Sequence, residues 1–228
     1  MLSEKGWIRA LKGRLEDGRE LRFKEGDRLR TLLACESTVR LIVLATNGRA
    51  YTLRAADLPR GRGDGQPLRL LADIGNDADA AALLIADEEG RYLLASSDGR
   101  GFIVRGRDLV AEKRTGRQVF TLRPGEEVVT ALPVTGDHVA VVGTNRRLII
   151  FPLAEVPEMS KGSGVTLQKY REGGLSDVKV FTLAEGLSWR SGEREVKLPD
   201  PSPWLAHRAG QGKPVPAGFP RANRFSPR

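Results

Sequence analysis

Thr46-Asn47-Gly48-Arg49 recurs along this chain as Ser97-Asp98-Gly99-Arg100, Thr144-Asn145-Arg146-Arg147 and Ser191-Gly192-Glu193-Arg194. Each is a small polar turn between apolar runs. Asn, Asp and Gly tolerate the positive φ that tight hairpin turns require. At a constant distance after Gly48, Gly99 and Arg146 comes an acid-plus-apolar pair: Asp57-Leu58, Asp108-Leu109 and Glu155-Val156. A basic, glycine-bearing loop follows: Arg62-Gly63-Asp64-Gly65, Arg114-Thr115-Gly116-Arg117 and Lys161-Gly162-Ser163-Gly164. A looser copy reads Arg208-Ala209-Gly210-Gln211-Gly212. The turn positions 48, 99, 146 and 192 stand 51, 47 and 46 residues apart. Self-similarity at that period in a β-rich chain is the signature of blades.

Between the turns lie short alternating or β-branched runs, among them residues 39–45, 50–53, 91–95, 101–104, 139–142, 148–151 and 178–183. No segment sustains a helical period, so the fold class is all-β. About four strands per unit predicts a propeller-like array of about five four-stranded blades. The first unit should be incomplete, because Ser3-Glu4-Lys5-Gly6-Trp7-Ile8-Arg9 has the turn and strand but neither the acidic pair nor the loop at the expected offset. Terminal repeats are often atypical. The period leaves a closed ring and an open or broken one equally available. The array should fill residues 1–213. Residues 214–228 read as a basic, proline-rich, disordered tail, since from Pro201 onward there are no acids and six of the 13 prolines.

The 228 residues carry 37 Lys and Arg against 29 Asp and Glu, a formal charge of +8. Such a balance favours polyanionic partners. Cys35 follows the apolar run Leu32-Leu33-Ala34 and is expected as a buried strand cysteine; a single Cys excludes a disulfide framework and fits a reducing cytoplasm. The longest apolar run, Ala80 to Ala86, is seven residues, far short of a membrane span. The abrupt N-terminus reads as a fragment of a longer protein or an unusually short leader. Catalysis is poorly supported. His138 and His207 are remote from each other and from any cysteine or carboxylate cluster at ligand spacing, and no G-x-S-x-G elbow or phosphate-binding P-loop occurs. No cofactor or metal is implied. Trp7 and Trp204 are expected to pack between blades.

The glycine-bearing loops carry the functional reading. Equivalent loops of a blade array emerge at equivalent points around one rim, so their cations would form a curved positive track. Duplex DNA carries about one negative charge per 1.7 Å of axis, and such a track would release counterions along its length. Nothing in the chain reads bases, so contacts would go to phosphates. The candidate contacts are Arg60, Arg62, Arg105, Arg107, Lys113, Arg114, Arg117, Arg146, Arg147, Lys161, Arg208 and Lys213, with Arg9, Lys12 and Arg14 as extensions onto the first unit. Asp73, Asp77, Asp79, Asp87, Glu88 and Glu89, in a segment without Lys or Arg, are expected on a different face. The rival reading is a propeller-like protein-interaction scaffold whose basic loops are ordinary solvated turns.

With the repeat established, the chain resembles the C-terminal domain of the bacterial topoisomerase IV A-type polypeptide, ParC. The resemblance rests on Leu2-Ser3-Glu4-Lys5-Gly6-Trp7-Ile8-Arg9, Asp57-Leu58-Pro59, Arg62-Gly63-Asp64-Gly65-Gln66-Pro67-Leu68, Ser97-Asp98-Gly99-Arg100-Gly101-Phe102, Asp108-Leu109-Val110-Ala111, Phe151-Pro152-Leu153, and Val156-Pro157 running into Ser160-Lys161-Gly162-Ser163-Gly164. It implies a β-pinwheel whose blades exchange strands and bend double-stranded DNA around an outer rim. It implies no catalytic role for this chain alone, since the family's DNA-cleaving tyrosine lies in a separate N-terminal region and Tyr51, Tyr92 and Tyr170 do not match it. The implied partners are that N-terminal region of the same polypeptide and the enzyme's ATPase component, with no membrane and a cytoplasmic, chromosome-associated setting in a bacterium. The sister family, DNA gyrase A, carries a box of the form Q-R-R-G-G-R-G. Here Pro59-Arg60-Gly61-Arg62-Gly63-Asp64-Gly65 stands instead, and that departure argues against a supercoil-introducing wrap.

Overall fold

A computed structural model describes residues 1–13, 21–61 and 63–226. The strands in chain order are β1 (Leu2–Ser3), β2 (Trp7–Ile8), β3 (Leu29–Thr31), β4 (Arg40–Ala45), β5 (Arg49–Arg54), β6 (Gln66–Pro67), β7 (Ala80–Ile85), β8 (Arg91–Ser96) and β9 (Arg100–Arg105). They continue with β10 (Arg117–Gln118), β11 (Val128–Pro133), β12 (His138–Gly143), β13 (Arg147–Pro152), β14 (Val165–Thr166), β15 (Leu175–Phe181), β16 (Leu187–Ser191), β17 (Arg194–Leu198) and β18 (Lys213–Pro214). The quoted turns are the tips of the hairpins β4–β5, β8–β9, β12–β13 and β16–β17, as their chemistry requires.

Four antiparallel sheets have four strands each, in the orders β3-β1-β2-β6, β7-β4-β5-β10, β11-β8-β9-β14 and β15-β12-β13-β18. In each, the outermost strand arrives late: β10 joins the second sheet only after the hairpin β8–β9 of the third has been made, and β14 and β18 repeat the detour. This strand exchange is what separates a pinwheel from an ordinary propeller. The first sheet has its four strands, though short ones. The fifth is where the array is reduced, to the two strands β16 and β17 among the described residues.

The second, third and fourth blades are covered on both faces, which is why their strands read as near-continuous apolar runs. The pleat still sorts them by a period of two. Leu41, Val43 and Ala45 of β4 pack toward Leu2 and Ile8 of the first sheet, whereas Ile42 and Leu44 pack toward Tyr92, Leu94 and Phe102 of the third. Burying one such aliphatic side chain stabilises the fold by about 1.5–3 kcal/mol. Four clusters of this kind join consecutive sheets. No apolar cluster among the described residues joins the first sheet to the fifth.

Residues 214–226 depart from the disorder that the prolines of this stretch suggest. Phe219 and Phe225 are buried beside Trp189, with ring centroids 5.2 Å apart for Trp189–Phe219 and 5.4 Å for Phe219–Phe225. The tail thus covers the last intersheet core. Its backbone is tied as well, because the Arg190 amide donates to the Phe225 carbonyl at 2.7 Å and the Ser176 hydroxyl to the Asn223 carbonyl at 2.8 Å. Two aromatic anchors outweigh the composition around them. Trp204 packs at the edge of the same core, whereas Trp7 is half-exposed with the Lys24 ammonium 3.5 Å from its ring centroid. Cys35 is exposed in the connection from β3 to β4 rather than buried in a strand.

Candidate nucleic-acid interface

The basic loops lead directly into β6, β10, β14 and β18, the outermost strand of each four-stranded sheet. Sequence and topology therefore agree that they lie at equivalent points along one outer edge. What the loop glycines do there is structural. Gly116 has φ +67° and Gly164 the same value; a Cβ on Gly116 would lie 2.5 Å from the Ala50 carbonyl oxygen, and one on Gly164 would meet the Gly101 carbonyl inside 3.0 Å. These glycines let the exchanged strand close onto its sheet.

An arginine at the start of β5, β9 and β13 holds the rim loop beside it in place. Arg49 donates from Nη2 to the carbonyls of Thr115 at 2.7 Å and Gly116 at 3.1 Å. Arg100 reaches Ser163 at 3.1 Å and Gly164 at 2.7 Å, and Arg147 reaches Gly212 with two nitrogens at 3.1 and 2.8 Å. Arg9, 4% exposed, plays the same part in the first sheet through the Gly63 carbonyl and also donates to the Arg22 carbonyl at 2.8 Å. A forked guanidinium suits paired carbonyls, and a hydrogen bond from a charged donor is worth about 1.5–3 kcal/mol. Arg9 and Arg147 are thus clamps within the fold, and Arg9 does not extend the track.

Arg146 and Arg208 are likewise committed. Arg146, at φ +60° where the other turns have glycine, donates to the carbonyls of Pro220 at 3.0 Å and Phe219 at 3.2 Å and to Asn223 Oδ1 at 2.9 Å. It fastens the tail. Arg208 donates to the Thr166 carbonyl at 2.7 Å and is half-buried. Arg117 is half-buried, with Nη1 3.4 Å from the Val110 carbonyl.

The remaining candidates face solvent. Arg60, Arg107, Lys113, Arg114, Lys161 and Lys213 are exposed, as is Lys12; Arg105 is half-exposed; Arg62 and Arg14 lie outside the described residues. Lys113 and Lys161 each stand three positions before a rim glycine, Gly116 and Gly164, so two consecutive blades present a cation at the same point.

The acid-rich segment is not a separate face. Asp73 accepts from Arg114 at 3.3 Å, Glu89 pairs with Arg107 at 3.9 Å, Asp79 with Arg69 at 3.2 Å, and Glu88 with Arg40. Glu158 accepts from Arg105 at 2.7 Å, which raises the pKa of that guanidinium further. No sequence rule pairs residues so far apart in the chain.

Tyr92 and Tyr170 bond within the fold. Tyr92 donates to the Ile85 carbonyl at 2.6 Å, and Tyr170 donates to Gln168 Oε1 at 2.9 Å in a site whose burial pushes its phenol well above the usual range. No cluster of His, Cys, Asp and Glu among the described residues could hold a metal ion.

An array of four-stranded blades that exchange their outer strands defines a β-pinwheel. The family model for the DNA gyrase C-terminal domain, beta-propeller, matches residues 91–135 and 137–175. The A-type polypeptide of DNA topoisomerase 4 from Rickettsia bellii is 39% identical over 224 residues, which is 98% of this chain and 30% of the relative. The Caulobacter vibrioides protein of the same name is 39% identical over 229 residues, 100% of this chain and 30% of the relative. The chain therefore spans about 30% of the length of these relatives. Among solved structures, the E. coli ParC C-terminal domain superposes with a TM-score of 0.78 at 27% identity, covering 96% of this chain and 94% of that one. The chain belongs to the family of C-terminal domains shared by the A-type polypeptides of topoisomerase IV and DNA gyrase.

Proposed function

We propose that this domain binds double-stranded DNA along its outer edge and bends it, as the non-catalytic duplex-capturing part of a type IIA topoisomerase of the topoisomerase IV kind. Decatenation and relaxation are then activities of the whole enzyme, assembled from the catalytic region of the same polypeptide and an ATPase partner, on the bacterial chromosome in the cytoplasm. The observation that carries this reading is the placement of exposed Arg60, Lys113, Arg114, Lys161 and Lys213 on or beside the loops that enter the outermost strands. Cations at matched points of successive blades can follow a phosphate backbone, and a backbone contact carries no sequence information.

Fluorescence anisotropy across a salt series tests it. With the six exposed candidates engaged, the log–log salt slope is about −5, and unrelated duplexes bind alike. Lys161→Ala and Arg60→Ala each make the slope shallower by about one while leaving stability within about 0.5 kcal/mol. A slope near zero, or strong preference for one sequence, refutes the reading and favours a protein-binding scaffold.

A further inference from the structure

Three cations of the outer edge already have anionic partners on the same chain. Arg105 Nε lies 2.7 Å from Glu158 Oε1, Arg114 Nε 3.3 Å from Asp73 Oδ1, and Arg107 Nη1 3.9 Å from Glu89 Oε1. The three acids come from different places: Glu158 from the chain entering β14, Asp73 from the crossing between the first and second sheets, and Glu89 from the tip between β7 and β8. They converge on arginines of one edge. Lys113 and Lys161, by contrast, have no ion-pair partner among the described residues.

We infer that Glu158, Asp73 and Glu89 set the affinity of the edge for DNA by occupying guanidinium groups that would otherwise bind phosphate. The inference rests on the DNA-binding reading above. A phosphate oxygen and a carboxylate oxygen ask for the same N–H groups, so each phosphate contact at Arg105, Arg114 or Arg107 must displace a carboxylate that stays nearby and repels the incoming anion. An exchange of one anionic partner for another contributes little net energy and releases fewer counterions than capture by a free cation. The lysines provide unconditional contacts; the paired arginines provide conditional ones. Geometry ranks them. Arg105 and Glu158 are both about one-third exposed, at 34% and 39%, and closest together, so this pair is the most firmly masked. Arg107 and Glu89 are the loosest, at 60% and 79% exposed.

The prediction runs opposite to ordinary loss-of-function mutagenesis, because removing an acid strengthens binding. Glu158→Gln keeps the side chain's size and its capacity to accept a hydrogen bond while removing the charge. The test measures anisotropy with a mixed-sequence duplex of about 30 base pairs across a salt series, for the wild-type chain, Glu158→Gln, Asp73→Asn, Arg105→Ala and Glu158→Gln/Arg105→Ala, with circular dichroism as a folding check. Each acid variant should bind about two- to fivefold more tightly at moderate salt, with a slope steeper by up to about one. The double variant decides between masking and general charge: in the Arg105→Ala background, Glu158→Gln should bring no tightening. Equal tightening in both backgrounds overturns the inference, as does unchanged affinity in both acid variants while wild type binds. A wild-type chain that binds no DNA overturns the underlying DNA reading instead.

Discussion

Arg146 offers the sharpest separation between a structural cation and a DNA-binding one. Replacing it by glycine leaves the turn chemistry intact, since glycine holds the equivalent places at 48 and 99, each at φ +83°. Only the clamp on the tail is lost. That clamp is three hydrogen bonds from one guanidinium, at 2.9, 3.0 and 3.2 Å, to Asn223, Pro220 and Phe219. Bonds from charged donors contribute about 1.5–3 kcal/mol each, and three sharing one side chain contribute less than their sum, about 3–5 kcal/mol. Relief of the left-handed backbone at a non-glycine residue returns about 1 kcal/mol. The net destabilisation is about 2–4 kcal/mol, which for a domain of this size lowers the melting temperature by about 5–15 °C. Thermal melts followed by tryptophan fluorescence check it, and amide exchange should accelerate across residues 219–225. Arg146→Lys should fall between, because a point charge does not span forked acceptors. A variant that melts like wild type yet loses DNA affinity as Lys161→Ala does would refute the assignment and return Arg146 to the track.

Three further outcomes follow from the same geometry. Phe225→Ala removes an aromatic side chain that is 2% exposed, so it should cost about 3–5 kcal/mol and shift Trp189 emission to the red; unchanged emission would mean the tail does not cover that core. Gly164→Ala should destabilise far more than Gly61→Ala, although both have positive φ, because only the first Cβ meets backbone; equal melting temperatures would refute the packing argument. Tyr170 holds its proton in the fold above the pH at which the unfolded chain releases it, so the native state binds more protons and stability falls as pH rises beyond about 10. Tyr170→Phe should flatten that alkaline decline in denaturant titrations, and an unaltered decline would point to another group.

The repeat is legible because hairpin turns are written in local chemistry: Asn47-Gly48 and Asp98-Gly99 state their conformation without help from the rest of the chain. Strand exchange is not, because β10 and β14 are two-residue strands whose only signal is the partner they find. The loops mark the outer edge of the sheets, yet which of its arginines bond within the fold stays hidden in the sequence. Arg100 and Arg147 sit in the very turns that reveal the repeat, and nothing local tells a clamp from a contact. A signal does exist: an arginine opens β5, β9 and β13 alike, and a residue that recurs in strand register is more naturally tied to the strand's own neighbour than to a ligand. The tail misleads for the opposite reason. Its prolines describe how the backbone behaves alone, whereas two phenylalanines decide where it goes once Trp189 offers them a surface. Asp73 reads as part of a separate acidic face until the fold brings Arg114 to it.

The late arrival of each outer strand has a consequence for how the chain can be made and altered. A blade of this kind remains unfinished while its successor is being built: the β4–β5 hairpin waits for β10, and β10 lies beyond the whole of the next hairpin. During synthesis from the N-terminus, every completed blade therefore trails the growing chain by one unit, and its outer edge stays bare for that interval. The same arrangement forbids clean excision. Deleting one period between matching turns would leave its neighbour's edge strand joined to the wrong hairpin, so the array can be shortened only if two adjoining blades are re-registered together.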